Sequence, residues 1–155
     1  MDANCQRLDK SHVKALLELS AVDGFPCRLT QEAAAPYCSD KSPSLEGAQT
    51  YGIFEDDMLV SVMTATFCMV FPCGDSPSGR IVHISGAYTL PAYRHRHHAT
   101  ALLTKIQSEA VLFGADYLCC DSTADGLYLR FGMESTAAHE TRMWKKLPQN
   151  QEAQS

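Results

Sequence analysis

The stretch that most restricts this chain is residues 88–103, YTLPAYRHRHHATALL. It starts as a strand, turns at Pro91, crosses Arg94, His95, Arg96, His97 and His98, and ends in an apolar helical pattern. Ala99, Leu102, Leu103, Ile106 and Ala110 recur at spacings of three and four, which is one face of a helix. The first turn of such a helix has backbone N–H groups without partners inside the helix. Together with the positive end of the macrodipole they make a natural anion site. Arg94 and Arg96 add fixed charge there. Two readings follow from the residues alone: a loop that holds a phosphate-bearing ligand, and a solvated basic turn.

The chain around this stretch reads as one domain. Its 155 residues are enough for one core and too few for two ordinary ones. Residues 3–8 suit a short first strand. Asp9 or Ser11 can cap a helix over 12–21, with Val13, Leu16, Leu17 and Ser20 on one face and Gly24 as its stop. Thr30 opens a second short helix that ends near Pro36, and residues 39–47 form a loop. Strands are expected over 50–54, 58–71 and 80–90, with Glu55, Asp56 and Asp57 as solvated charge at a hairpin tip rather than a metal site. A helix over 99–113 stops at Gly114, a strand covers 117–121, a short helix covers 124–130 and stops at Gly132, and a last strand covers 139–147. Residues 148–155 are a polar tail.

Composition narrows the function classes. The net charge of −5 argues against nucleic acid as a partner, and RHRHH is too short a basic run to reverse that. It mildly favours a cationic substrate. The longest apolar run, residues 58–71, is interrupted by Ser61, Thr64 and Thr66 and falls short of the roughly 20 residues a spanning helix needs, so no membrane segment is expected. The seven cysteines contain no CxxC pair, and no secretory leader is expected from the N-terminal residues. Reduced, mostly buried thiols and a cytoplasmic location are therefore expected. His95, His97 and His98 lie too close together to converge on one ion, and no metal is expected.

Residues 88–103 resemble the acyl-CoA binding segment of the GNAT N-acetyltransferases. That pattern is a strand, a Pro-containing turn, then Arg/Gln-x-x-Gly-x-Gly/Ala opening a helix. Arg94, His97 and Ala99 stand at the matching positions, flanked by TLPAYR and ATALL. His97 stands where the family usually has glycine, and His95 where many relatives have it. A second segment, ADGLYLRFGM at 124–133, resembles the family's A-x-x-LY-x-x-x-GF, with Met133 for Phe. The expected order β-α-α-β-β-β-α-β-α-β is also that of the family. The resemblance covers about residues 3–147 and implies an α/β fold, a central mixed sheet flanked by helices, in a domain over 1–147.

The resemblance also implies a chemistry: acetyl transfer from acetyl-CoA to a primary amine of a small molecule or peptide, by direct attack in a ternary complex. Backbone N–H groups of the loop Arg94, His95, Arg96, His97, His98, Ala99 and Thr100 would wrap the pyrophosphate, with the fixed charge of Arg94 and Arg96 beside them. Two outcomes stay open for the His97 imidazole, a bond to a phosphate or crowding of the site, and two for the Thr100 hydroxyl, a phosphate contact or a local cap. Pantetheine would pair with the strand end at Thr89 and Leu90, and a backbone N–H near Leu90 would polarise the thioester carbonyl. Tyr128, the tyrosine of the LY pair, would protonate the leaving thiolate. A lysine-like amine with a pKa near 10.4 must also lose a proton. His83 is the candidate base, because alternation would put it on one face with Ser85, Ala87 and Thr89, where histone-type relatives carry a glutamate. A packed structural histidine, and deprotonation relayed by water alone, stay open beside it. Asp121 is a further candidate, toward the pantetheine amides. Homodimers are common in the family, and a homodimer is possible. A non-catalytic acyl-CoA-binding module on the same fold is the alternative function. The acceptor's identity is not readable.

Overall fold

The computed structural model describes residues 4–40, 46–121, 125–134 and 145–147. They fall in two compact units, Met1–Ala124 and Asp125–Ser155. The first unit holds a five-stranded sheet in the order β1-β2-β3-β4-β5. The strands are Cys5–Arg7 (β1), Gly47–Glu55 (β2), Met58–Met69 (β3), Arg80–Thr89 (β4) and Tyr117–Cys120 (β5). The first four pair antiparallel and β4 pairs parallel with β5. The parallel pair requires a crossover, which is the helix α3, His98–Phe113.

Local chemistry sets the element ends. Asp9 accepts the Ser11 N–H at 2.8 Å, and its own N–H donates to His12 Nδ1 at 3.0 Å. This reciprocal cap starts a 3-10 turn, Lys10–His12, that runs into α1, Val13–Ser20. Thr30 caps α2, Gln31–Ala34, by accepting the Ala33 N–H at 3.2 Å. Asp56 and Asp57, with φ of 48° and 62°, make the two-residue left-handed tip that a twisted hairpin favours. Gly114, with φ of 81°, closes α3. The strand β2 starts three residues earlier than its sequence indicates. Gln49 belongs to it because its amide donates to the Leu8 and Thr50 carbonyls, at 2.8 Å each, under complete burial. The last expected strand lies largely outside the described residues; residues 145–147 are described and belong to no strand.

Helices cover both faces of the sheet. Val62 and Tyr88 pack with Leu16 and Leu19 of α1 and with Ala34 of α2. On the opposite face Phe67 meets Phe113 of α3 edge to face at 5.5 Å, and the Tyr51 hydroxyl donates to Glu109 of α3. Glu109 is 4% exposed and also faces Arg7 at 3.7 Å and Lys105 at 3.4 Å. Burial and the adjacent carboxylate push the Tyr51 hydroxyl well above its ordinary pKa, so it stays a donor.

Two bulges interrupt the pleat. Ile53 pairs with Ser61 and Phe54 with Leu59, which leaves Val60 as an extra residue. Met63 pairs with Ala87 and Thr64 with Ser85, which leaves Gly86 extra in β4, at φ of 60°. A side chain there would pay for the left-handed backbone; glycine does not.

All seven cysteines are free thiols. Only Cys38 is buried, while Cys27 and Cys73 are exposed, so the expectation of mostly buried thiols is corrected. Among the described residues no helix is long and apolar enough to cross a membrane.

Candidate functional site

The bulge at Gly86 governs the site. Pairing between β4 and β5 runs from Ile81↔Tyr117 to Ile84↔Cys120 and goes no further among the described residues. From Ser85 to the strand end, the β5 side of β4 is an open edge among the described residues. Leu90 extends the pairing on the other side, since its N–H donates to the Val60 carbonyl at 2.9 Å. The Leu90 N–H is thus already engaged inside the sheet. Strand alternation turns the neighbouring Thr89 N–H the opposite way, toward the open edge. The Thr89 carbonyl points away from β3 too, where it accepts Arg94 Nε at 3.1 Å.

Beyond the edge, a 3-10 turn over Pro91–Tyr93 leads to the start of α3. His95 and His97 both adopt left-handed backbone, with φ of 63° and 62°. For a residue with a β-carbon this costs about 1–2 kcal/mol each. Left-handed residues set in such a turn aim successive N–H groups into one concavity that suits an anion. His97 is the N-cap of α3 and gives no side-chain cap bond. The first-turn amides of α3 are thus left uncapped by it. Thr100, exposed in that turn, stands beside them.

The cationic side chains divide. Arg94 holds the Thr89 carbonyl and lies over the Tyr88 ring, its guanidinium carbon 5.8 Å from the centroid. Arg96 and His98 turn instead to the β2–β3 hairpin. Arg96 Nη1 donates to Glu55 Oε2 at 2.8 Å, its carbon sits 4.9 Å above Tyr93, and His98 Nε2 lies 2.7 Å from Glu55 Oε1. His98 is 8% exposed. Both side chains thus end on Glu55. The expectation that Glu55 is mere solvated charge fails for that reason.

His83 also departs from its expected face. Its cross-strand neighbour is Thr66, and Ser85 faces Thr64. These positions share the α1 face with Val62 and Tyr88. The extra residue Gly86 reverses the alternation, so Ala87 and Thr89 belong to the α3 face, where the Thr89 hydroxyl meets that of Ser61 at 2.7 Å. The partner of His83 is Asp121, just past β5, with Nε2 to Oδ2 at 3.6 Å and side chains 37% and 58% exposed. The sequence offered each residue singly and gave no sign of the pair, which depends on β5 lying parallel to β4.

Tyr128 lies in the second unit, on a short helix, α4, Asp125–Arg130. Its carbonyl accepts the N–H groups of Phe131 and Met133, and Gly132, at φ of 95°, follows the helix as expected.

The acetyltransferase (GNAT) family model matches residues 14–133, which includes β4, the loop and α4. The chain belongs to the GNAT family. Solved structures agree on the fold of this GNAT chain. A predicted acetyltransferase with acetyl-CoA from Clostridium acetobutylicum has a TM-score of 0.70 at 18% identity, over 94% of this chain and 95% of its own. The aminoglycoside N-acetyltransferase AAC(6')-Iy, in complex with a CoA bisubstrate analogue, has a TM-score of 0.68 at 17% identity, over 93% and 97%. A ribosomal-protein-alanine N-acetyltransferase from Brucella melitensis biovar Abortus 2308 has a TM-score of 0.66 at 16% identity, over 92% and 97%. No curated protein sequence matches.

Proposed function

We propose that this GNAT chain transfers the acetyl group of acetyl-CoA to a primary amine of a small molecule or peptide, by direct attack in a ternary complex. The observation that carries this reading is the open β4 edge beside the uncapped start of α3. An extended amide-bearing arm can add to such an edge as a strand does, and a diphosphate suits the amides next to it. The residues present therefore fit the donor, which supplies an activated acyl thioester.

The chain's own groups then have distinct tasks. Amides of residues 95–100 bind the diphosphate, with Arg94 at the rim. The Thr89 N–H, facing the open edge, donates to the thioester carbonyl oxygen as negative charge develops there. A donor so placed lowers a barrier by about 3 kcal/mol. His83 takes a proton from the amine, and Asp121 orients its imidazole. An uncharged amine at neutral pH otherwise costs about 4–5 kcal/mol for a pKa near 10.4. Tyr128 donates a proton to the leaving sulfur. The solved relatives include enzymes named for aminoglycosides and for a ribosomal-protein alanine, which is consistent with an amine acceptor and does not choose among amines.

The test is thiol release from acetyl-CoA with a panel of polyamines, aminoglycosides, amino acids and peptides, for wild type and Tyr128→Phe. Amine-dependent release that falls about tenfold or more in Tyr128→Phe is expected. Tight CoA binding with no turnover on any amine would favour the non-catalytic binding module. No CoA binding would refute both.

A further inference from the structure

The donor loop contains a contradiction that the structure resolves. Two histidines occupy left-handed backbone in which a residue with a β-carbon is disfavoured, and one of them begins α3 without a side-chain cap. Something must hold that conformation. The residues on either side of His97 do so. Arg96 and His98 both end on the same carboxylate, Glu55, at 2.8 and 2.7 Å. Glu55 closes β2, a strand fixed by its pairing with β1 and β3. A rigid hairpin thus grips the loop on both sides of the strained residue. Arg96 Nη2 also reaches the Ala92 carbonyl at 3.4 Å, and its stacking on Tyr93 ties the grip back to the Pro91–Tyr93 turn.

We infer that Glu55 is a positioning residue for the acyl donor: by gripping Arg96 and His98 it keeps His97 left-handed and the loop amides aimed at the diphosphate, a task glycine would perform without help. The residue touches no reacting atom. It acts through the backbone of residues 95–99, and the inference rests on the donor site proposed above.

The two arrangements differ in what removal of Glu55 does. With histidine at position 97, the ungripped loop relaxes from the left-handed region and the amides lose their common aim. With glycine there, relaxation is not driven, because both backbone hands are open to it. The effect of Glu55→Gln must therefore depend on residue 97, a coupling that a double-mutant cycle isolates.

The cycle uses wild type, Glu55→Gln, His97→Gly and the double variant. Three quantities are read: acetyl-CoA affinity by calorimetry, KM against kcat with an active amine, and hydrogen exchange of the 95–99 amides in the ligand-free protein. In the histidine background Glu55→Gln should weaken acetyl-CoA about tenfold, raise its KM more than it lowers kcat, and speed exchange. In the His97→Gly background the same change should cost no more than about twofold. Equal losses in both backgrounds would overturn the inference. So would tighter binding in Glu55→Gln, which would mean that the carboxylate repels the diphosphate or sequesters Arg96 from it. If wild type fails to bind acetyl-CoA, the donor-site reading falls and the positioning role for the donor falls with it. Exchange still separates the two failures: faster loop exchange in Glu55→Gln, abolished by His97→Gly, would show that the grip on the loop exists without that ligand, while unchanged exchange would show there is no grip.

Discussion

Replacing His83 and Asp121 separately should give very different losses, and the geometry fixes the ratio. A positioned general base contributes about 10²–10⁴ to a rate. If His83 is that base, His83→Gln should lower kcat/KM by about 100-fold or more where wild type is fully active. Asp121 reaches it at 3.6 Å, but the two side chains are 37% and 58% exposed. An ion pair that open to water is worth about 0.2–1 kcal/mol. At about 1.4 kcal/mol per tenfold, Asp121→Asn should cost less than about fivefold. The assay is acetyl-CoA-dependent acetylation of an active amine, followed by thiol release across the neutral pH range where imidazole titrates. The acid limb of the kcat/KM profile should vanish in His83→Gln and persist in Asp121→Asn. An unchanged profile in His83→Gln would remove it as the base. A loss in Asp121→Asn as large as that in His83→Gln would refute the screened-pair estimate and make the two a tightly coupled unit.

Two further outcomes concern the scaffold. A β-carbon at Gly52 would lie 2.6 Å from Leu59 Cδ1 and 2.9 Å from Leu8 Cδ2, both in buried residues. Gly52→Ala should therefore destabilise by about 1–3 kcal/mol, read as a lower urea midpoint with an unchanged slope. Burial pushes the Cys5 and Cys38 thiols up to about 11. Their folded values lie above the unfolded ones, so the stability they contribute is present below about pH 8.5 and is lost as pH rises toward 11. The urea midpoint should fall across that window, less steeply in Cys38→Ala, and at lower pH the exposed Cys27 and Cys73 should alkylate first.

The legible parts of this chain were those with local causes. The spacing of Leu102, Leu103, Ile106 and Ala110, closed by Gly114, placed α3 to within one residue of its observed start. The Asp9 and Thr30 caps were readable because capping acts over two or three residues. What escaped was set by partners distant in sequence. The grip of Glu55 on Arg96 spans 41 residues, and no local pattern announces it. The face of His83 was misassigned because alternation assumes an unbroken pleat. A lone glycine inside a strand is a signal of a bulge, and Gly86 was that signal. The resemblance marked positions 95 and 97 as glycine positions; the backbone supplies the reason, since both are left-handed.

The buried carboxylate of Glu109 has a bearing on how α3 is registered. Leu102, Leu103 and Ile106 hold the helix to the sheet through contacts that have little directionality, so a slide along its axis would be weakly opposed by them alone. Glu109 works as a dowel. Its oxygens engage Tyr51, Lys105 and Arg7, and sliding the helix by a turn would strip a buried charge of all but its own-helix partner, Lys105. Glu109 lies eleven residues from His98, about 16 Å along the axis at 1.5 Å per residue. A polar peg near the far end of the rod thus indexes where its near end stops against the β4 edge.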